Sequence, residues 1–234
     1  MNIDVVIPTY YAKLDILNKT VKENCDLLKK MGVRFRYIVV VDFHSGLDNR
    51  LSYLDIMRTP NVEVYFKANI SEHKESFRAI NFGIQIGEFE NVLVMDDDYL
   101  LSKKYIDKVK DFVGNALFLK SFYRNDGERV WKDSIKDGGQ SIGSGQPKLL
   151  KRDFLLSNGL YQEEYVGYMF CDTEFSYRYE KLDGVEIEDG DVLDIMHLEH
   201  CYRYRGRDID KERLHLLYFK QNKENLERHI QCLT

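Results

Sequence analysis

Residues 91–98 read Asn91-Val92-Leu93-Val94-Met95-Asp96-Asp97-Asp98, an apolar strand that runs directly into three carboxylates. Like charges this close require a cation, and the stretch carries no basic residue of its own. A strand of Val92, Val94 and Met95 that ends in Asp96, Asp97 and Asp98 delivers hard oxygen ligands to the carboxyl end of a sheet, where α/β proteins bind their ligands. The simplest chemistry is a divalent metal, Mn²⁺ or Mg²⁺, holding a phosphorylated substrate. The competing reading is an acidic turn that opens a helix near Ser102, since Asp favours helix starts.

Upstream of this stretch the chain alternates. Ile3 to Ile7 is a short apolar run closed by Pro8, which suits a buried parallel strand. Leu14, Leu17, Val21, Cys25 and Leu28 recur at helical spacing, and Gly32 is placed to cap that helix at its carboxyl end. Tyr37 to Val41 is a second strand that ends at Asp42, and Val62 to Phe66 is a third. Phe77, Ile80 and Ile84 share one face of a crossover helix that ends near Gly87. Strand and helix in regular succession predict an α/β fold with a parallel sheet.

Downstream the rhythm changes. Leu117 to Tyr123 and Arg129 to Trp131 read as strands, while Gly138, Gly139, Gly143 and Gly145 with Pro147 mark turns. A helix is expected from Asp172 to Leu182, with Phe175, Tyr179 and Leu182 inward and Glu174 with Arg178 as an exposed pair one turn apart. Val192 to Met196 reads as a further strand, and a charged helix is expected from Asp210 to Gln231. No repeat or low-complexity linker interrupts the chain, so 1–234 reads as one domain. Its nucleotide-binding half spans 1–100, and its acceptor-side half, with the last helix, spans 101–234.

Composition excludes several function classes. The 234 residues are 44% hydrophobic, enough for a sizeable core. A net charge of -5, from 39 acidic against 34 basic side chains, leaves no global electrostatic footprint for nucleic acid or an anionic membrane. Cys25, Cys171, Cys201 and Cys232 form no C-x-x-C pair, which fits reduced, buried thiols and a cytoplasmic location. The first residues lack a leader pattern, and no stretch approaches the length of a membrane span, so a soluble protein is expected. Lys, Arg, Tyr and Phe in the last third have the composition of an amphipathic surface that attaches to a membrane or a partner protein.

Several segments together resemble the GT-A glycosyltransferases of the large family-2 type, which include bacterial polysaccharide and chondroitin-type polymerases. They are Val5-Val6-Ile7-Pro8-Thr9-Tyr10, Val39-Val40-Val41-Asp42 with Ser45, Arg78-Ala79-Ile80-Asn81-Phe82-Gly83 and Met95-Asp96-Asp97-Asp98. Cys171-Asp172-Thr173-Glu174-Phe175-Ser176-Tyr177-Arg178 is similar to that family's acceptor-side E-D-x-E-F-x-x-R segment, with Cys171 where the family often has Glu. The resemblance spans most of the chain and implies the GT-A fold, a Rossmann-like, mostly parallel sheet with flanking helices and a small acceptor-side subregion. It also implies a metal-dependent inverting glycosyltransferase that moves a hexosyl or N-acetylhexosaminyl group from a nucleotide-diphospho-sugar to a glycan or other hydroxyl acceptor.

The residues suit that chemistry. Negative charge builds on the departing diphosphate as the glycosidic bond breaks, and a divalent ion neutralises it. The resemblance assigns Asp98 to the metal and Asp96 to the ribose or the metal, with Asp97 able to serve either. His197, after the expected Val192 to Met196 strand, is a candidate further ligand; His200 competes with it, and a structural histidine is the alternative for both. Pro8 and Tyr10 lie at the expected base pocket. Tyr10 can stack on a pyrimidine and Asp42 can accept the imino N–H of uracil, which favours a UDP-sugar donor; a core aromatic and a turn cap are the alternatives. Tyr11 and Phe43-His44 depart from the family pattern here.

Lys74 and Arg78 fall one helical turn apart and are candidate phosphate ligands. Arg203 and Arg207, within Cys201-Tyr202-Arg203-Tyr204-Arg205-Gly206-Arg207, suit a flap that folds over the diphosphate, with a solvated loop or a nucleic-acid contact as alternatives. No nucleic-acid partner is expected of an acidic chain. Asp172 is the candidate base for the acceptor hydroxyl, a role compatible with capping its helix. Gly145-Gln146-Pro147-Lys148 and Lys151-Arg152 are expected to shape the sugar pocket. Trp131 and Tyr168 are candidate stacking platforms, with ordinary core or surface positions as the alternative.

Two other classes compete. A D-x-D phosphotransferase of the haloacid-dehalogenase type fits poorly, because Leu100 stands where that chemistry wants Thr or Val and the acidic strand is fourth instead of first. A noncatalytic module that binds sugar nucleotides or glycans would not need the complete acidic triplet and Asp172.

Overall fold

The computed structural model describes residues 1–9, 14–44, 50–69, 76–119, 123–124, 147–163, 171–188, 190 and 192–198, with backbone alone for 42–44, 50, 68–69, 76, 123–124 and 171–173. In chain order the elements are β1 (Asn2–Thr9), α1 (Leu14–Lys30), β2 (Arg34–His44), a 3₁₀ turn (Arg50–Tyr53), α2 (Leu54–Met57), β3 (Val62–Asn69), α3 (Ser76–Ile86), β4 (Asn91–Val94), β5 (Tyr99–Leu100) and α4 (Lys103–Asp111). They continue with β6 (Ala116–Leu119), β7 (Tyr123–Arg124), β8 (Lys148–Lys151), α5 (Arg152–Asn158), α6 (Cys171–Tyr179), β9 (Val185–Glu188) and β10 (Met196–His197).

Seven strands form one sheet in the order β3-β2-β1-β4-β8-β6-β9. β1 to β4 are mutually parallel; β8 runs antiparallel to β4 and β6, and β9 is parallel to β6. The sheet grows outward from β1 to β3 on one side and restarts at β4 on the other. The crevice between the carboxyl ends of β1 and β4 is therefore the topological switch point, the ligand position of an open α/β sheet.

Both sheet faces are buried, which is why β1 is apolar at successive positions. Ile3, Val5 and Ile7 join Leu17, Val21, Cys25 and Leu28 of α1 and Ile106 of α4 on one face. Val6, Val92 and Val94 meet Phe77, Ile80 and Ile84 of α3 and Phe175 and Tyr179 of α6 on the other. Helix α1 stops as its sequence predicts. Gly32 takes φ 67°, the Gly32 N–H reaches the Lys29 carbonyl at 3.1 Å, and the Val33 N–H reaches the Leu28 carbonyl at 3.0 Å, so the last carbonyls are satisfied.

Three expectations need correction. Val192 to Met196 is not a strand: Asp194 takes φ 53°, Val192 is exposed, and only Met196–His197 pairs with neighbouring strands. The Glu174–Arg178 pair is not on the surface. Its side chains are 0% and 12% exposed, and α6 ends at Tyr179 before reaching Leu182. Arg152 does not line the ligand end of the sheet, because β8 runs antiparallel and carries it to the amino end of β1. The expected strand at Arg129 to Trp131, the glycines of 138–145, Tyr168 and the helix from Asp210 lie outside the described residues.

Candidate active site

The acidic turn is fixed from three directions. Met95 continues the β4 ladder by donating its N–H to the Val6 carbonyl at 3.2 Å. Thr9, the last residue of β1, then donates its hydroxyl to Asp97 Oδ2 at 2.6 Å, bridging the crevice between the two central strands. From α1, the Asn24 amide donates to the Tyr99 carbonyl at 2.8 Å and to the Tyr37 hydroxyl at 3.2 Å, and it accepts from the Leu101 N–H at 2.8 Å. One buried amide thus satisfies backbone on either side of Leu100, where unpaired groups would each cost about 1–3 kcal/mol.

Asp97 and Asp98 are buried and Asp96 is partly exposed. Asp98 is therefore no exposed strand end: its carbonyl accepts the Leu198 N–H at 2.7 Å, and its carboxylate faces His197 of β10. Ser102 does cap a helix, since its hydroxyl accepts the Tyr105 N–H at 3.0 Å at the start of α4. The helix start and the acidic cluster are thus separate features, four residues apart from Asp98 to Ser102 in the chain.

A second, three-stranded sheet brings in the far half of the chain. β10 pairs antiparallel with β5 and parallel with β7, setting His197 opposite Tyr99. Its imidazole packs edge-on to the Tyr99 ring at 5.0 Å, and Nε2 stands 3.5 Å from Asp98 Oδ2. A carboxylate oxygen and an imidazole nitrogen at this separation suit one shared cation, and the donor set is compatible with Mn²⁺. No group of three His, Cys, Asp or Glu able to hold an ion occurs among the described residues. Two protein ligands with the rest supplied by phosphate and water is a common arrangement for hard divalent ions at nucleotide sites, so the residues fit such an ion.

Several of the other expected residues lie within the described elements. Pro8 lies in β1 beside Val40 of β2, and Asp42 lies in β2 in register with Lys67 of β3, both toward the carboxyl edge. Arg78, on α3, sets Nε 3.5 Å from Glu163 Oε2, an acidic neighbour that sequence spacing does not reveal. Asp172 lies in the first turn of α6, as expected for a residue at a helix start. Tyr10, Lys74, His200, Arg203 and Arg207 lie outside the described residues. Lys148 is buried on β8 opposite Val94, two residues before Asp96, so a lysine flanks the acidic turn from the neighbouring strand. The sequence assigns Lys148 to the sugar pocket but does not show it beside the acidic turn, because that neighbourhood depends on the antiparallel pairing of β8 with β4.

No family model and no curated protein matches the chain. Solved structures do. Residues 1–349 of TarS from S. aureus in complex with UDP share 18% identity at a TM-score of 0.60, over 85% of this chain and 61% of that one. The same fragment in complex with UDP-GlcNAc matches at 16% identity and TM-score 0.60, over 87% of this chain and 60% of that one. A Drosophila β1,4-galactosyltransferase 7 mutant in complex with manganese, UDP-Gal and xylobiose matches at 14% identity and TM-score 0.56, over 88% and 74%. The chain spans about three fifths of the TarS fragment. The parallel sheet, the acidic turn at its switch point and these likenesses together give one architectural conclusion: the chain has the GT-A glycosyltransferase fold.

Proposed function

We propose that the protein is a metal-dependent inverting glycosyltransferase that moves a hexosyl or N-acetylhexosaminyl group from a UDP-sugar to a glycan or other hydroxyl acceptor. The observation that carries this reading is the Asp98–His197 pair, 3.5 Å apart, at the switch point of the sheet. It joins the acidic turn of one half to a strand of the other. The UDP, UDP-GlcNAc and UDP-Gal in the TarS and Drosophila structures support the donor class, and the manganese and xylobiose of the latter support a cation and a glycan acceptor. No described helix is long and apolar enough to cross a membrane. A cytoplasmic role in polysaccharide assembly fits this reading.

Asp98 and His197 would hold Mn²⁺ or Mg²⁺, with Asp96 turned to the ribose or sharing the ion. The bound ion would offset negative charge on the departing diphosphate. Arg78, Lys74, Arg203 and Arg207 would add positive charge around the same phosphates, and Tyr10 and Asp42 would hold the uracil by stacking and hydrogen bonding. Asp172 takes the acceptor hydroxyl proton as that oxygen attacks the anomeric carbon on the face opposite the leaving group.

Calorimetry of UDP with and without Mn²⁺ tests the metal, and the expected result is an affinity at least about tenfold higher with the ion. Equal affinities would remove the metal from the mechanism. Thermal shifts across a panel of nucleotide sugars test the donor class, because a ligand that binds only the native state raises its apparent stability. Asp172→Asn should abolish transfer and leave UDP-sugar affinity nearly intact; transfer at close to the unsubstituted rate would put the base elsewhere.

A further inference from the structure

Asn81 belongs to the Arg78-Ala79-Ile80-Asn81-Phe82-Gly83 segment, in which Arg78 is a candidate phosphate ligand and Ile80 packs in the core. It is 3% exposed, and its side chain faces the stretch that leads toward α6. Its amide donates to the Tyr161 carbonyl at 2.8 Å and accepts from the Tyr161 N–H at 3.0 Å, which copies one rung of a β-ladder with a side chain. The same amide nitrogen donates to Glu163 Oε1 at 3.0 Å, and the other oxygen of that carboxylate faces Arg78 Nε at 3.5 Å. The stretch is gripped from α6 as well. Arg178, paired with the buried Glu174 at 2.8 Å, donates to the carbonyls of Asn158, Gly159 and Leu160 at 2.7–2.8 Å. Between the helices, Tyr161 stacks on Phe77 of α3 at 5.9 Å and on Phe175 of α6 at 4.0 Å.

We infer that Asn81 and Glu163 are positioning residues. They latch the donor-side helix α3 to the acceptor-side helix α6, so that Arg78 and the start of α6, where Asp172 lies, keep a fixed separation. Packing alone would not set this spacing, because stacked rings slide over one another at little cost, whereas a two-point amide clamp fixes register. The inference deepens the proposed transferase reading and rests on it for its catalytic consequence. Its mechanical part stands on the hydrogen bonds alone.

The test uses the full chain with Asn81→Ala, Asn81→Asp, Glu163→Gln and the last two combined. Asn81→Asp removes the donor to Tyr161 and sets two carboxylates face to face. Glu163→Gln in that background restores a donor opposite the new acceptor. With a UDP-sugar that the unsubstituted protein turns over, Asn81→Asp should lower kcat about 100-fold, the scale of a misplaced catalytic group, while Mn²⁺-dependent UDP affinity changes less than about threefold. The double variant should regain about tenfold in kcat, since residues in one hydrogen-bond network couple. Hydrogen exchange at the Tyr161 amide should accelerate at least about tenfold in Asn81→Ala, which also removes the acceptor of the Tyr161 N–H, a readout that needs no activity. Unchanged exchange would overturn the latch. So would a kcat that falls only in step with the folded fraction, or a double variant no better than Asn81→Asp. If the unsubstituted protein neither binds UDP nor transfers sugar, the transferase reading fails, and exchange alone decides the latch.

Discussion

The two ends of the central strands both bury carboxylates, and they use them in opposite ways. At the amino end of β1, Asp4 is fully buried, and one oxygen accepts from the Glu88 N–H at 2.6 Å, the Phe89 N–H at 2.7 Å and Arg152 Nη2 at 2.5 Å. Arg152 is itself committed: Nε donates to the Phe89 carbonyl at 2.7 Å and Nη1 to the Ile84 carbonyl. Burial pulls its guanidinium below the ordinary range, against the opposing pull of the Asp4 charge. At the carboxyl end three carboxylates stand in succession, one braced by Thr9 and one facing His197 from another sheet. A lone carboxylate enclosed by backbone donors and a cation closes a structure. A run of carboxylates at a switch point, reached by a histidine from the far half of the chain, fits a ligand.

The sharpest way to break this comparison is to neutralise one carboxylate at each end. Asp98→Asn keeps the side-chain shape and should lower transfer about 1000-fold, the upper scale for losing one preorganised electrostatic group. Its melting temperature should move by less than about 3 °C, because Asp96 and Asp97 keep negative charge near the buried Lys148. Asp4→Asn should do the reverse. It leaves Arg152 buried without its counter-ion, a loss of about 3 kcal/mol, and lowers the melting temperature by about 10 °C. UDP affinity measured well below that transition should be unchanged. If Asp4→Asn weakened UDP binding as much as Asp98→Asn, the two ends would not be functionally separate.

The same contrast explains what the sequence made readable. Apolar periodicity predicts β1 to β4, α1 and α3, because each buries a continuous face against the sheet, and local chemistry predicts the Gly32 cap. The acidic turn is readable because charge density needs no tertiary context. Asp4 is not readable, since a single acid beside Ile3 resembles any strand start until Arg152 arrives from 148 residues away. The Glu174–Arg178 pair misleads for a related reason: helical spacing gives the pairing but not which face is covered, and Asn158 to Leu160 cover it. His197 is singled out in the sequence by its position after an apolar run, although that run is a turn and not a strand. Two residues of pairing with Tyr99 and Leu100 are enough to seat it.

Asn24 tests whether the ligand end also carries structural weight. It lies on α1 and fixes the backbone on both sides of Leu100. Asn24→Ala leaves the Leu101 N–H and Tyr99 carbonyl buried without that partner, which should cost about 2 kcal/mol and lower the melting temperature by about 6 °C. Unlike Asp4→Asn, it should also weaken Mn²⁺-dependent UDP binding, because the freed segment carries Tyr99, against which His197 packs. Calorimetry at a temperature where both variants are folded distinguishes them. An unchanged affinity would confine the ligand site to the turn itself.

The smallest effect is expected in α3, a helix that spans both ends. It places Arg78 and Asn81 on the ligand side, and just past its last turn Glu88 and Phe89 donate to Asp4. Gly83 sits where the helix presses closest to the sheet: a Cβ there would lie 2.5 Å from Val6 Cγ1 and 3.3 Å from Val40 Cγ2. Two terms oppose each other in Gly83→Ala. The helix gains about 0.5–1 kcal/mol from the lower backbone entropy of alanine. Overpacking against two buried valines costs about 1–3 kcal/mol, since neither β-branched side chain can rotate away cheaply. The net should be a loss of about 1 kcal/mol and a fall of about 3 °C in melting temperature. Because the helix must lift from the sheet to admit the methyl group, kcat should fall by more than that loss of folded protein explains. A melting temperature that rises instead would mean that α3 has slack against the sheet, and that neither end is held by the helix joining them.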